Sequence, residues 1–460
     1  MKNFIAREVA AFDVFNADAK KLIIINLVYA LAFPFIIIFG SAFVLRITDG
    51  NNSMTIIYNW GFFIGLTIGY LINGKILKKR FDVRKIFAFG MLLTVIPLSI
   101  LMFVAKDVGY YVIIYGLFVG AGNGIFWSCR NLITLQTTND ENRNFFASLE
   151  QFIIIFCNAL IPLLFGVFIL GKDAPMDFKM EAYKYTSFVV VLITIFAAYL
   201  ILKSNFKTPQ IKKFMFWKFG NIWNIQRLLT FSVGMVEAGF MVLMTLLILN
   251  VAGDESVLGK IEFFTAIISV ISIYIVGRIA KPEHRGKIMF AGAISLIIGG
   301  TTLALTIENQ NMIFNFLTIS FLGVVIMKIG QVIADPMVHS SFRATFLTSV
   351  EKSSIEEKRD SYAFIMDNEY FMNGGRIFGG VLFIVLKIIF TEHGTIGSFK
   401  DLASAINTSG GEGDIGALKY TFIILALIQL ISAFLVRKLA LAGKTNIKKD
   451  SAEPETETIL

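Results

Sequence analysis

Three ionisable residues lie inside long apolar runs of this sequence, where they could bind a solute or carry a proton. Glu237 lies near the middle of one run, and Lys328 and Arg376 lie within two later runs. Because a charged group is costly in hydrocarbon, an ionisable residue placed there is a candidate functional residue. The proton affinity of a buried carboxylate depends on nearby cations, so either cation could couple protonation of Glu237 to solute binding. The alternative is a permanent buried ion pair that sets the register of the helices.

Helical spacing places an amide and an acid beside each of these two cations. At about 100° per residue, the members of each set fall on one face of a helix. The two stripes are Lys328, Gln331 and Asp335, and Glu369, Asn373 and Arg376. They are candidates for substrate or ion binding, although each cation could instead be neutralised by the acid of its own stripe. Two cations and one central acid favour an anionic or zwitterionic small organic solute.

Two earlier apolar runs carry polar faces that suit a cavity. Asn26 and Tyr29 share a face of the first run, ahead of a proline that is expected to bend the helix. Asn123 and Trp127 share a face of the fourth run with Arg130. Unpaired polar groups are expensive in hydrocarbon, so these faces should look toward protein or water. An ordinary interhelical contact is the alternative for the first run.

Several charged residues are candidates for gating or salt bridges instead of solute binding. Arg130 lies near the end of its run, where it could pair with Glu150 on the next one. Asp335, Asp367 and Glu369 are the remaining candidates of this kind.

The composition of the sequence indicates that membrane-spanning helices position these residues. The 460 residues are 56% hydrophobic and 16% charged, whereas soluble domains are about 25% charged. The net charge of +9 comes from Lys and Arg that flank apolar runs, which argues against nucleic-acid binding. Cys129 and Cys157 lie inside apolar runs, so neither a disulfide framework nor a metal site is expected, and no cofactor is predicted.

Twelve runs are long enough to cross about 30 Å of hydrocarbon as helices. They are predicted at residues 22–46, 54–77, 85–105, 110–136, 145–170, 185–202, 227–251, 258–280, 286–306, 312–337, 362–390 and 420–439. With the N-terminus in the cytoplasm, about 31 of the 42 Lys and Arg fall on the cytoplasmic side and about 9 outside. The sequence therefore predicts a multi-pass protein of the cytoplasmic membrane with both termini in the cytoplasm.

An internal repeat divides the chain into two halves. The second run is followed by GKILKKRFDVRKIFAFG at 74–90, and the eighth by GRIAKPEHRGKIMFAG at 277–292. A weaker echo joins the segments that begin at Glu141 and Glu357. The predicted organisation is a cytoplasmic lead-in at 1–21, a six-helix half at 22–204, a basic linker at 205–226, a second six-helix half at 227–440 and a cytoplasmic tail at 441–460.

This arrangement resembles the major facilitator superfamily, whose signature after the second span is typically GxLaDRxGRR. Leu77, Arg80 and Arg84 fit the signature, whereas Lys79 stands where the acid belongs and Asp82 occupies the place of the second glycine. In the second copy, the acid, glycine and cation fit better, at Glu283, Gly286 and Lys287. The resemblance implies an all-α membrane protein with twelve transmembrane helices in two pseudo-symmetric six-helix bundles. It also implies alternating access around a midplane site lined by the first, fourth, seventh and tenth spans.

The sequence thus predicts a secondary transporter that moves a small organic solute, with protons as candidate co-substrates. Export of amphipathic compounds is the alternative within transport. A non-transporting membrane sensor and a membrane-embedded transferase are the alternatives of another class. No P-loop is found, and the three histidines lie outside the centres of the runs, which argues against an enzyme. The predicted partners are the solute, protons and membrane lipid, and the chain is expected to be a monomer.

Overall fold

The architecture is that of a helical bundle. The computed structural model describes residues 12, 15–104, 109–138, 140–169, 171, 175–208, 215–216, 218–252, 255–279, 282–309, 311–314, 317–390 and 412–450. Its helices are α1 Ala17–Ile47, α2 Asn52–Lys78, α3 Val83–Val104, α4 Val112–Thr137, α5 Asp140–Pro162, α6 Met176–Leu202, α7 Asn221–Ala252, α8 Glu255–Ile279, α9 Arg285–Thr306, α10 Ile319–Glu356, α11 Ser361–Phe390 and α12 Glu412–Asp450.

The fold class predicted from sequence is confirmed. Within the described residues, eleven helices are long and apolar enough to cross a membrane. Helix α5 and the π-helical segment Leu163–Ile169 that follows it contain the shorter apolar stretch Phe152–Val167. Besides the helices there is one small antiparallel pair of strands, β1 Met312–Phe314 and β2 Leu317–Thr318. Only helices of this kind can bury every backbone polar group inside lipid without a closed barrel.

Local sequence explains where several helices begin. The side chain of Asn16 accepts a hydrogen bond from the amide of Ala19 at 2.7 Å, and that of Asn51 accepts one from Ser53 at 3.0 Å. Such caps satisfy amides that lack a partner inside the helix. Thr318 caps α10 in the same way, because its hydroxyl accepts from the amide of Phe321.

The first helix of each half contains a π-helical segment at the same position. In α1 it spans Phe35–Phe39, directly after Pro34, and in α7 it spans Gly239–Leu243. Each segment begins 18 residues after the first residue of its helix. The predicted irregularity at Pro34 is therefore a π segment, and its counterpart in α7 needs no proline. π segments within helices occur frequently at functional sites.

Glycine grooves bring helices of the same half into close contact. Gly61, Gly65 and Gly69 of α2 lie against the backbone of α4, where an added Cβ at Gly65 would collide with the carbonyl of Leu117. In the other half, Gly375 lies as closely against the backbone of Phe231 in α7. Without a hydrophobic force inside lipid, small residues of this kind supply van der Waals contact between helices. These grooves therefore hold each half together.

Contact between α2 and α11, which belong to different halves, uses other residues. The indole N–H of Trp60 donates to the carbonyl of Ile377 at 3.2 Å, and Gly380 leaves room for that ring. A side chain at Gly380 would displace the indole.

Some predicted boundaries are wrong. The tenth span was predicted from residue 312, but residues 312–318 include the two short strands and α10 begins at Ile319 and continues to Glu356. Helix α7 begins at Asn221, inside the predicted linker 205–226, and α1 begins at Ala17, inside the predicted lead-in. Helix α12 continues to Asp450, beyond the predicted limit at 440. Polar helical residues outside an apolar run cause the longer helices, because hydropathy reports the apolar part of a helix alone. The tenth span starts later because residues Met312–Phe314 and Leu317–Thr318 pair as strands. Residues 1–11 and 451–460 of the lead-in and tail lie outside the described residues.

The helices alternate between two ends of the bundle. We call the end that carries the α2–α3 turn, residues 79–82, the basic end. The opposite end carries the start of α2 and is called the Asn52 end.

Candidate functional site

Glu237 and Arg376 form an ion pair halfway between the two ends. Glu237 lies in α7, next to its π segment, and Arg376 lies in the middle of α11. The Nη2 atom of Arg376 is 2.7 Å from Oε1 of Glu237, and the side chains are 16% and 24% exposed. This partial exposure means that the pair borders space that water can reach. The pair joins two helices of the same half.

Neighbouring polar atoms extend this pair. Arg376 donates from Nη1 to Oδ1 of Asn373 at 2.8 Å, and Asn373 donates to the backbone carbonyl of Glu369. The Nε atom of Arg376 is buried and has no hydrogen-bond partner among the described residues. The Glu369 carboxyl group is close enough to interact electrostatically with both Glu237 and Arg376. Arg376 therefore interacts with two carboxylates, those of Glu237 and Glu369.

Lys328 has a partner that sequence reasoning missed. Its Nζ atom is 2.7 Å from Oε1 of Glu262 in α8, and Lys328 is 6% exposed. The predicted alternatives, direct pairs of Lys328 with Asp335 and of Arg376 with Glu369, are wrong, because the two cations bond to Glu262 and Glu237 instead. Seven residues of helix separate the members of each predicted pair by about 10.5 Å along the axis. Glu262 could have been identified from the sequence, because it is an ionisable residue inside the predicted span 258–280.

The remaining residues of the α10 stripe border the central ion pair. Gln331 donates to Asp335 at 3.4 Å, while its Oε1 atom has no partner among the described residues. Asp335 interacts electrostatically with Lys328, Glu237 and His339. His339 is exposed and lies one turn from Asp335 on the same face.

Arg130 and Glu150 form the charged pair of the first half, as predicted. The Nε atom of Arg130 donates to Oε1 of Glu150 at 3.0 Å, and a second bond joins Nη2 to the other carboxylate oxygen. Asn26 in α1 donates its Nδ2 to the same carboxylate. Three helices therefore meet at Glu150, which is 4% exposed. A bidentate arginine–carboxylate pair combines two aligned hydrogen bonds with the attraction between opposite charges.

A small cavity with about 30 Å³ of accessible space lies beside this pair. Its aromatic wall consists of Tyr29, Phe33, Phe126 and Trp127, and the rest of its lining consists of Asn26, Ala30, Arg130, Glu150, Ile153, Ile154 and Asn158. Since one water molecule needs about 10–15 Å³ of such space, the cavity has room for about two water molecules in this conformation. The structure thus brings together Asn26, Tyr29 and Trp127 from the predicted set.

Asn123 lies outside this cavity lining. It is 1% exposed, and neither of its side-chain polar atoms has a partner among the described residues. It follows Gly120 and Gly122, whose backbones contact α2 and α3.

Two residues bring the charged groups of the two halves near one another. Tyr70 of α2 lies near both Arg130 and Arg376. Arg343 of α10 interacts with both Arg130 and Glu150 across the two halves. The cavity pair and the central pair are therefore neighbouring parts of one polar region. Arg343 was missed because it follows the predicted limit of the tenth span, although its side chain continues the helical face of His339.

Asp367 pairs with the start of α7. It accepts from Nε of Arg227 and from the indole of Trp223, each at 2.6 Å. This predicted salt-bridge residue therefore joins α7 to α11 near the basic end.

At the Asn52 end, Glu255 ties the halves together. Its carboxylate is fully buried, and it pairs with Arg46 of α1 at 2.7 Å and with Lys179 of α6 at 3.2 Å. Glu255 begins α8, whereas both cations belong to the first half. These are the inter-half ion pairs found within the described residues.

Asp414 is the centre of a second buried group at the same end. Lys387 of α11 is 2.9 Å from its carboxylate, and each side chain is 3% exposed. From the first half, Asn52 donates to Asp414 at 2.9 Å and Ser53 accepts from Lys387 at 3.0 Å. The Asn52 end is thus sealed by charged and polar contacts.

The degenerate signature turn at the basic end has its own salt bridge. Arg84 is 2.8 Å from Asp82 and also donates to the carbonyl of Ser204 at the end of α6. Hydrogen bonding to Arg84 lowers the pKa of Asp82 below its ordinary value. Asp82 therefore supplies a carboxylate near the position at which the signature acid is missing.

Together these features define a multi-pass helical membrane protein with a polar centre between two bundles. Residues 22–350 match the family model of the Major Facilitator Superfamily. The chain belongs to this family, and it is accordingly a secondary transporter.

One relative and two solved structures are similar to this chain. YqgE of Bacillus subtilis (strain 168) is 22% identical over 344 residues, which are 73% of this chain and 75% of that protein. The xylose transporter XylE from E. coli, in an inward-open conformation, has a TM-score of 0.63 at 14% identity and covers 92% of this chain and 96% of its own. A bacterial homologue of the human lysosomal transporter Spinster has a TM-score of 0.61 at 12% identity, covering 92% and 97%. At these identities the solved structures show the fold alone.

Proposed function

We propose that this protein moves a small organic solute across the cytoplasmic membrane by alternating access, with proton coupling through Glu237. The observation that carries the proposal is the Glu237–Arg376 ion pair, which lies halfway between the two ends and is partly exposed. A partly exposed pair can exchange a proton and a polar solute group.

Protonation would change this pair in a defined way. A proton on Glu237 removes its negative charge, so Arg376 loses its partner at 2.7 Å and can turn toward Glu369 or toward a solute. Loss of the proton restores the original attraction. Proton binding and solute binding thereby share one cation, which is a physical basis for coupling.

The distribution of basic residues supports the orientation. Lys79, Arg80 and Lys358 lie at the basic end, which we assign to the cytoplasm under the positive-inside rule. In this orientation, the Glu255 and Asp414 groups seal the outer end. We propose that they part when the site opens outward and that the basic end opens in the alternative state. We also propose that the transporter acts as a monomer.

The pairing of the central cations affects which charge the solute is expected to carry. Arg376, Lys328 and Arg130 each have a carboxylate partner at hydrogen-bonding distance. Arg343, which lies near Arg130 and Glu150, remains as the cation that could bind an anionic or zwitterionic solute. The aromatic cavity instead favours an amphipathic solute, so export of amphipathic compounds is the second candidate function.

Transport into proteoliposomes tests the coupling. After a solute has been found by thermal-shift screening, we expect an imposed pH gradient to drive its accumulation. Glu237→Gln should abolish accumulation while it preserves exchange of labelled for unlabelled solute, because exchange needs no net proton movement. Glu308→Gln is the matched control, since Glu308 is 71% exposed in its pair with Lys419.

The possible outcomes separate the hypotheses. Normal proton-driven accumulation by Glu237→Gln would refute coupling through this residue. Solute movement that lowers the internal concentration against a gradient would indicate export. A protein that binds its solute but exchanges none would be a sensor, which would refute the transport proposal.

A further inference from the structure

Helix α10 presents a water-accessible face to the other half of the protein. His339, Arg343 and Leu347 follow one another at intervals of four residues, and all three side chains are exposed. Side chains at this spacing lie on the same face of a helix. Because Arg343 is close enough to interact electrostatically with Arg130 and Glu150 of the first half, this face borders the space between the halves and not lipid. Water therefore reaches Arg343 between the two bundles.

Arg343 is a cation without a partner. No hydrogen bond or ion pair joins its guanidinium to another of the described residues, whereas the other three central cations each bind a carboxylate. A cation that only marked the cytoplasmic side would lie at a helix end, but Arg343 lies 13 residues before Glu356, the last residue of α10. A guanidinium holds its N–H donors in a plane that matches the two oxygens of a carboxylate. These donors are free to bind a ligand.

The charges around Arg343 add up to one excess positive charge. Arg130 and Glu150 neutralise each other through two hydrogen bonds. Arg343 adds a second guanidinium near that pair, where it is attracted by Glu150 and repelled by Arg130. One negative charge on a ligand would restore neutrality between the halves, and a second one would be repelled by the carboxylate of Glu150. The arrangement favours a ligand group with a single negative charge.

We infer that Arg343 binds the solute through a group with a single negative charge, such as a carboxylate, in the space between the halves. This inference rests on the proposed transport function, since it names the class of solute. The bound anion also lies near Arg130 of the first half, so it replaces the repulsion between the two guanidiniums by attraction to both. Solute binding thereby favours approach of the two halves, the movement that alternating access requires at the basic end.

A cysteine beside Arg343 reports ligand binding without any transport. Ser340→Cys is introduced into the full-length protein after Cys129 and Cys157 have been replaced by serine. Ser340 is exposed and lies about one helical turn from Arg343. Labelling by the uncharged reagent N-ethylmaleimide is measured in detergent while butyrate, butyramide, succinate or butylammonium is titrated.

The four probes differ in charge and share a four-carbon chain. We expect butyrate to slow the labelling at least about threefold, and butyramide and butylammonium to have little effect, because an anion pairs with a guanidinium. Succinate should protect the cysteine less than butyrate does, because its second negative charge is repelled by Glu150.

Three variants test whether Arg343 is responsible for the protection. Arg343→Gln should abolish protection by butyrate, and Arg343→Lys, which keeps the charge but lacks the planar donors, should retain part of it. Lys352→Gln is the matched control, because it removes a charge from the same helix about 13.5 Å further along the axis and should leave protection unchanged. If Arg343→Gln does not fold, the preference of the protein with Arg343 intact among the four probes still decides the ligand class.

Equal effects of butyrate and butyramide would overturn the inference, and so would protection by butylammonium, stronger protection by succinate or full protection in Arg343→Gln. These results are independent of the proposed function, which is tested by solute movement. Absence of protection with intact proton-driven transport would refute the ligand class alone. Protection without transport would refute the proposed function alone.

Discussion

The buried Lys387–Asp414 pair should control how often the protein opens at the Asn52 end. We consider Asp414→Asn, which keeps the shape of the side chain but removes its charge. Lys387 and Asp414 are each 3% exposed where the halves meet, and Asn52 and Ser53 of the first half bond to them. The closed end would then hold a lysine that has lost this carboxylate, whereas an open end would expose the lysine to water.

The magnitude follows from the burial of the pair. Removing one partner of a buried ion pair typically costs about 3–5 kcal/mol. If this cost falls on the closed state alone, the equilibrium shifts toward opening by about two to three and a half powers of ten, at about 1.4 kcal/mol per tenfold change. Even a fraction of this shift would be measurable.

Accessibility of an engineered cysteine measures the shift. Thr55→Cys, on a fully buried residue one turn from Asn52, is introduced after Cys129 and Cys157 have been replaced by serine. We expect Asp414→Asn to increase the rate of labelling by a membrane-impermeant thiol reagent at least about tenfold.

Two further variants make this result interpretable. Exchanging the two residues, Asp414→Lys with Lys387→Asp, should return the labelling rate toward its original value. The control is Lys419→Met, whose partner Glu308 is exposed and which should have little effect. An unchanged rate in folded Asp414→Asn would show that the pair is not part of a gate.

Three other predictions concern stability. Lys328→Met and Glu262→Met should each lower the free energy of unfolding by about 3–5 kcal/mol, and the double variant should regain much of the loss in thermal melts, because neither charge then remains unpaired. A double variant less stable than both single variants would contradict the pairing. Gly65→Ala should cost about 1–3 kcal/mol because the new Cβ meets the backbone of α4, whereas Gly374→Ala has room and should be tolerated in the same melts. The lowered pKa of Asp82 stabilises the fold above about pH 4, the ordinary pKa of aspartate, and this contribution is lost as the pH falls further; stability of Asp82→Asn should therefore depend less on pH in that range.

Hydropathy and charge in the sequence were sufficient to determine the architecture. The apolar runs predicted a twelve-helix membrane protein, and the repeat at 74–90 and 277–292 predicted two halves. Periodicity also selected Glu237, Arg376, Arg130 and Glu150, because a charge inside lipid is too costly to be incidental. The architectural inferences succeed because the membrane imposes a single length scale and a strong penalty on polar groups, whereas the roles of the selected charges stay predictions.

Only the tertiary structure decided which charges are partners. Helical periodicity assigns a residue to a face but does not say which helix faces it, so it suggested Asp335 for Lys328 where the partner is Glu262 of α8. It likewise could not show that the glycine groove of α2 receives α4, or that Glu255 would meet cations from two helices of the other half. Those contacts depend on how twelve helices pack in three dimensions, and each is made between residues far apart in the chain.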